Sequence, residues 1–204
     1  MEKILATAAW DFTTGSTDVL VAISDGGFDT THPELKGRYS EVLTSQVSDH
    51  GTAVAGTIGA ATNNGTGMSG INWSSQLILG NWGKESLKAL LSKAGVVTVN
   101  SSWSIPGYIP VSFDPSNIVS LEERNTLALV ASRPYRKIAE SNLDKLLVWS
   151  AGNGIGNGAG NSNNVYGVDA RLHSSALHFT SNGTLQKQQN VMFVAVVDDD
   201  NRLP

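Results

Sequence analysis

Five runs of strand length, Val19–Ser24, Gln76–Leu79, Val96–Val99, Leu146–Trp149 and Val191–Val197, are continuously apolar rather than alternating, and several are rich in β-branched residues. A strand with one wet face alternates; a strand buried on both faces does not. Between these runs lie stretches of helical pattern: Ile4–Phe12, Gly51–Ala61, Lys84–Lys93 and Ser120–Asn142. Leu87, Leu90 and Leu91 share one helical face. Ser120 with Glu123 reads as a capping box, and Pro134 is expected to break or kink that stretch. Strands alternating with helices predict a three-layer, doubly wound α/β fold: a mostly parallel sheet with helices on both faces. Pro106–Asn117, with three prolines, reads as a surface excursion, and Gly152–Asn164, with five glycines and five asparagines, as a loop.

The 204 residues predict one domain with a full core. Hydrophobic residues make up 40% and charged residues 16% of the chain, as in a globular protein with a lightly charged surface. The net charge of −4, with no basic run, argues against nucleic acid as a partner. No run approaches the length of a membrane span, so no membrane partner is expected. Met1–Trp10 lacks the apolar core of a signal peptide. There is no cysteine, hence neither disulfide nor thiolate chemistry.

The chemistry-bearing residues fall at strand and helix ends. Asp25 closes the first run, where the carboxyl ends of parallel strands gather ligands. Gly26 and Gly27 let the backbone turn away while the carboxylate stays pointed at the site. Alone, Asp-Gly-Gly reads rather as a turn or a helix cap; the His50 motif reverses that preference. His50 opens a helix whose early positions are small (Gly51, Thr52, Ala53, Ala55, Gly56), so the helix can sit close to a sheet. An imidazole titrates near neutral pH and suits a general base. An Asp followed by a His is the chain order of one serine-protease triad, in which the nucleophilic Ser comes last.

These motifs resemble the subtilisin-like serine proteases. The family's strand "VAVID-S/T-G" followed by "HPDL" is here Val21–Gly27 followed by His32–Leu35, reading VAISDGG and HPEL. Its "HGTHVAGT" is His50–Thr57, HGTAVAGT, with Ala53 where a second His is usual. Asn63–Trp73 is similar to the loop after the histidine helix, and Leu146–Asn153 to the oxyanion-hole strand. The resemblance implies a serine endopeptidase acting on peptide or protein substrates. Asp25 would orient the base His50, and the Asn153 side chain would donate to the oxyanion. Substrate would run along Ser102, Trp103 and Ser104, and Ala151 and Gly152 would also bind it; Ser104 stands where the family has glycine. No cofactor is required by this chemistry. Some members hold a structural calcium, whose ligands would here be Glu34 and Asn64 in the Thr62–Met68 loop. An extracellular or cell-surface location is expected by resemblance.

The family's nucleophile motif, "G-T-S-x-A-x-P", does not occur. Gly183-Thr184 is followed by Leu185 and precedes the last apolar run instead of following it. The expectation is an N-terminal portion of a catalytic domain with its serine beyond Pro204, inactive alone and with the remainder of that domain as its partner. A non-catalytic, subtilase-like binding protein is the alternative. A dinucleotide-binding domain is a remote one: Gly154–Ala159 fits G-x-G-x-x-A, but Gly160–Asn164 cannot start the helix that would hold a pyrophosphate. His173 and His178 are poorly spaced for a metal, and Asp198–Asp200 reads as a solvated turn.

Overall fold

The computed structural model describes residues 4–103, 130, 133–150 and 189–194. They belong to two compact units, Met1–Ser102 and Trp103–Pro204.

The first unit is a parallel sheet with helices. Its elements are α1 (Ala6–Trp10), β1 (Leu20–Asp25), a 3-10 turn (Pro33–Leu35), β2 (Tyr39–Val42), α2 (Asp49–Gly59), β3 (Gln76–Asn81), α3 (Lys84–Leu91) and β4 (Val96–Ser101). The strands lie in the order β2-β3-β1-β4, every pair parallel. β1 lies between β3 and β4 and is buried from Val21 to Asp25, which is why its sequence carries no polar alternation.

Side chains on a strand alternate between faces, and this assigns each helix to its side. Val21 and Ile23 of β1 pair in register with Leu77 and Leu79 of β3, and all four pack with Ala55 of α2, Phe28 and Leu35. The opposite face carries Ala22 and Ser24 beside Ile78 and Gly80. A Cβ at Gly80 would come within 2.9 Å of the Leu90 side chain of α3. Helices therefore cover both faces. By the same alternation Asp25, two residues after Ile23, falls on the α2 face.

The expected strands in this unit are present, with β3 and β4 running two residues further than the apolar runs. β2 was not foreseen: Tyr-Ser-Glu-Val is a polar, half-buried edge strand with no continuous apolar run. Helix limits also differ. α1 is shorter than Ile4–Phe12, starting after Leu5, which takes a left-handed φ of 52°. α2 begins at Asp49 rather than Gly51 and ends at Gly59.

In the second unit, β5 (Leu146–Ser150) pairs in parallel with β6 (Val191–Val194). Residues 133–140 are helical and Asn142 lies past their end; residues 131 and 132, just ahead of Pro134, lie outside the described residues. The Ser120–Glu123 cap, the 106–117 and 152–164 loops, His173, His178, Gly183–Leu185 and residues 195–204 lie outside the described residues. Asn190 donates from Nδ2 to the carbonyls of Ala139, Asn142 and Lys145, fastening the helix end to the start of β6.

Candidate active site

Asp25 and His50 meet at the carboxyl end of β1. His50 Nδ1 lies 2.9 Å from Asp25 Oδ1 and 3.0 Å from Oδ2. The Asp25 side chain is 4% exposed, whereas that of His50 is 62% exposed. Gly26 N donates to Asp25 Oδ1 at 2.7 Å. The carboxylate thus points at one imidazole nitrogen from a dry position, and the other nitrogen is left toward solvent.

This corner depends on how closely α2 approaches the end of β1. A Cβ at Gly51 would collide with the Gly27 carbonyl and lie 3.1 Å from Asp25 Oδ1. Gly27 itself has φ 134°, where its only freedom is that of glycine, and a Cβ there would press on the Gln46 backbone. Thr52 ties the two segments by hydrogen bonds. Its hydroxyl accepts from Asp29 N at 2.8 Å and donates to Ser48 O at 2.7 Å. Asp49 in the first turn of α2 places a negative charge near the positive end of the helix dipole. At the other end, Arg38 Nε donates to Gly59 O at 2.8 Å, and its Nη2 to the carbonyls of Asn72 and Ser75. Burial lowers the Arg38 pKa from its ordinary value. Gly51 and Thr52 were seen in the sequence only as small residues. Their contacts to the loop after β1 follow from tertiary packing, as does the role of Arg38.

Glu34 is the second buried carboxylate of this unit. Its Oε2 is buried and has no hydrogen-bond partner. A Cβ at Gly67 would collide with Glu34 Oε1, so the carboxylate lies directly under the Thr62–Met68 loop. Asn64 is exposed, and its Oδ1 accepts from Thr66 N at 3.2 Å. Among the described residues no cluster of three His, Cys, Asp or Glu could hold a metal, so any cation here would rely on amide and carbonyl oxygens beside one carboxylate. Asp29 lies on the surface. The Thr31 hydroxyl that donates to it holds its carboxyl below the ordinary value, aided by the Thr31 N–H and the nearby His32.

Of the substrate-strand residues, Ser102 and Trp103 follow β4. Asn100 Nδ2 donates to Ser102 Oγ at 2.9 Å. The Trp103 ring does not project as an exposed recognition group; it packs against Tyr135 and Trp149. Asn153, Ser104, Ala151 and Gly152 lie outside the described residues. Among the described residues no hydroxyl bonds the His50 ring.

A parallel α/β sheet whose carboxyl edge presents a buried carboxylate bonded to an exposed imidazole has the arrangement of enzymes that use an imidazole base. The chain belongs to the subtilase family, whose model matches residues 16–203. It is 39% identical over 71 residues to a thermophilic serine proteinase of Bacillus sp. (strain AK1), covering 31% of this chain and 18% of that protein. It is 36% identical over 77 residues to thermitase of Thermoactinomyces vulgaris, covering 34% and 27%. The fold is shared with the epidermin leader peptide processing serine protease of Staphylococcus aureus, at TM-score 0.55 and 18% identity, over 97% of this chain and 50% of that one. The chain therefore matches about a quarter or less of each of those two relatives and half of the solved protease.

Proposed function

We propose that this chain supplies the Asp–His part of a serine endopeptidase, in which Asp25 orients His50 and His50 activates a serine hydroxyl. The observation that carries the reading is the bond from His50 Nδ1 to a carboxylate only 4% exposed. With its Nδ1–H donated to Asp25, the imidazole keeps its lone pair on Nε2. Nε2 would accept the proton as the serine oxygen bonds to the scissile carbonyl carbon. The imidazolium, stabilised by Asp25, would then return that proton to the departing amine. Water would repeat the sequence on the acyl-enzyme, restoring the serine. Asn153 is proposed to donate to the oxyanion. Ser102, Trp103 and Ser104 are proposed to bind an extended peptide, their backbone pairing with it as an added strand, and Ala151 and Gly152 are proposed as further substrate-binding residues.

The nucleophile is proposed to lie downstream of Pro204 in a longer protein, since Gly183-Thr184-Leu185 lacks the serine of the family motif. The retained pair favours this over a binding protein that performs no chemistry, because binding alone gives no reason to keep a base and its orienting carboxylate. An extracellular or cell-surface location is proposed on family grounds.

A calcium ion is proposed at Glu34. Its orphaned oxygen and the glycine loop above it suit a hard cation, with Asn64 and carbonyls of the Thr62–Met68 loop as further oxygen donors. The ion would supply charge compensation and loop rigidity, and no catalytic step.

A fluorophosphonate, which phosphonylates activated serines, tests the nucleophile assignment by intact mass. The 204-residue chain should remain unmodified, and the longer protein should gain one phosphonyl group that His50→Ala loses. Labelling of Ser102 or Ser150 in the 204-residue chain would overturn the placement of the serine. Labelling of the longer protein undiminished by His50→Ala would overturn the pair.

A further inference from the structure

Helix α2 ends at Gly59, and its last four carbonyls have no partner within the helix. Each finds one beyond it. Gly56 O accepts from Ala60 N at 2.9 Å, Thr57 O from Ile71 N at 3.0 Å and Ile58 O from Asn72 N at 2.9 Å, while Gly59 O accepts from Arg38 Nε at 2.8 Å. Two of the four donors thus belong to the segment that returns from the Thr62–Met68 loop. That segment comes close to the helix end: a Cβ at Gly70 would collide with Ala60 N. Gly70 N donates to Thr62 Oγ1 at 3.0 Å and closes the base of the loop.

One turn earlier on α2, the Met68 side chain lies over Gly56. A Cβ at Gly56 would come within 3.2 Å of Met68 Sδ and 3.7 Å of its Cε. Met68 is nonetheless 42% exposed, so solvent reaches a residue whose sulfur is pressed on the helix. The chain has three methionines and no cysteine, hence its sulfur chemistry is that of thioethers. An exposed thioether oxidises to a sulfoxide, which is polar where the parent was apolar, and the change is enzymatically reversible.

We propose that Met68 is a redox-sensitive latch: as a thioether it holds the returning segment on α2, and its oxidation by a peroxide releases that segment. Hydrogen peroxide transfers one oxygen atom to the sulfur. The O–O bond breaks, the S–O bond forms and water leaves; sulfur gives up two electrons and peroxide takes them. No further oxygen fits between the sulfur and Gly56. Gly56 lies inside the helix, where its N–H is committed to the ladder, so no donor there meets the new oxygen. A polar group without a partner is costly against an apolar surface, and the sulfoxide turns to water instead. The segment lifts with it and uncovers Thr57 O and Ile58 O, at the far end of the helix that carries His50. The latch requires neither a serine nor a bound cation, so it stands apart from the proposed function.

The test is amide hydrogen exchange, read by nuclear magnetic resonance on the 204-residue chain in chelator, before and after mild treatment with hydrogen peroxide. Peptide mapping by mass locates each sulfoxide, and Met192, 51% exposed, serves as the internal measure of oxidation. Once Met68 is oxidised, the Ile71 and Asn72 amides should exchange about tenfold faster, equivalent to about 1.4 kcal/mol. Treatment with methionine sulfoxide reductases for both sulfur epimers should restore the original rates. Met68→Leu keeps an apolar side chain of similar volume, and its exchange should not respond to peroxide. A Met68 that stays unmodified while Met192 is fully converted would overturn the proposal. Unchanged exchange of Ile71 and Asn72 at full Met68 oxidation would do the same. An equal response in Met68→Leu would trace the release to another group and also overturn it. Should that variant fail to fold, the reductases decide on the wild-type chain: exchange that stays fast after the sulfoxide is reduced overturns the latch.

Discussion

The first unit encloses two carboxylates beside glycines and completes only one of them. Asp25 accepts from Gly26 N and meets His50 Nδ1, so its bonding is satisfied within the protein. Glu34 keeps a buried Oε2 with no partner. The difference begins with the element that carries each residue. Asp25 ends a strand flanked by β3 and β4, and pairing sets its direction. Glu34 lies on a three-residue 3-10 turn beneath a loop in which Gly65 and Gly67 adopt φ of 75° and 62°. A carboxylate on a paired strand can be aimed to within a hydrogen bond. One under a glycine loop is left with a buried oxygen that no group of the described residues meets.

The largest effect expected from disturbing this contrast is at Gly51. Gly51→Ala puts a methyl against the Gly27 carbonyl and pushes α2 from the end of β1. We expect a loss of about 1–3 kcal/mol in urea unfolding, the usual range for overpacking, together with loss of the downfield Nδ1 proton resonance of His50. Retention of both would show that the corner does not depend on close approach.

Calcium should act on Glu34 and leave the Asp25 corner untouched. At 100 times its dissociation constant the ion should stabilise the wild-type chain by about 2.7 kcal/mol, and Glu34→Gln should abolish the gain. Without calcium the same variant should be more stable than wild type by about 1 kcal/mol, because it no longer buries an unpartnered charged oxygen. A thermal shift series with and without chelator reads both signs. Calcium that leaves the wild-type melting temperature unmoved would remove the ion from the comparison.

The smallest effect belongs to Asp29, an acidic group at the surface beside the same segment. Its folded-state pKa is depressed below the ordinary 3.8, chiefly by the Thr31 hydroxyl. Its contribution is therefore complete above the unfolded value and is lost as pH falls through the folded one. Asp29→Asn should flatten that acid limb, changing Tm by about one degree or less. A change at neutral pH larger than that from Glu34→Gln would mean the hydrogen bonds to Thr31 do more than hold a surface turn.

Much of this was legible in the sequence because it depends on local order. Unbroken apolar runs marked the strands, although only β1 and β3 are buried on both faces, Val97 of β4 and Met192 and Val194 of β6 being exposed; Gly26-Gly27 after Asp25 marked a strand end that turns away. β2 was not legible: Ser40 and Glu41 interrupt it, and only pairing with β3 makes it a strand. Trp103 was readable as a residue of the substrate strand, but not as a ring packed between Tyr135 and Trp149, because those partners are 32 and 46 residues away in sequence.

The sequence by itself determined that Asp25 ends a core strand and that His50 lies in the first turn of a helix able to lie close to a sheet. These are consequences of periodicity, side-chain size and backbone freedom, which act over a few residues. Only the tertiary structure decided that Asp25 faces α2 rather than α3, that Gly51 lets the imidazole reach the carboxylate, and that Glu34 Oε2 is left alone. Those outcomes depend on which strands pair and which helix covers each face, and burial then decides whether a polar atom finds a partner.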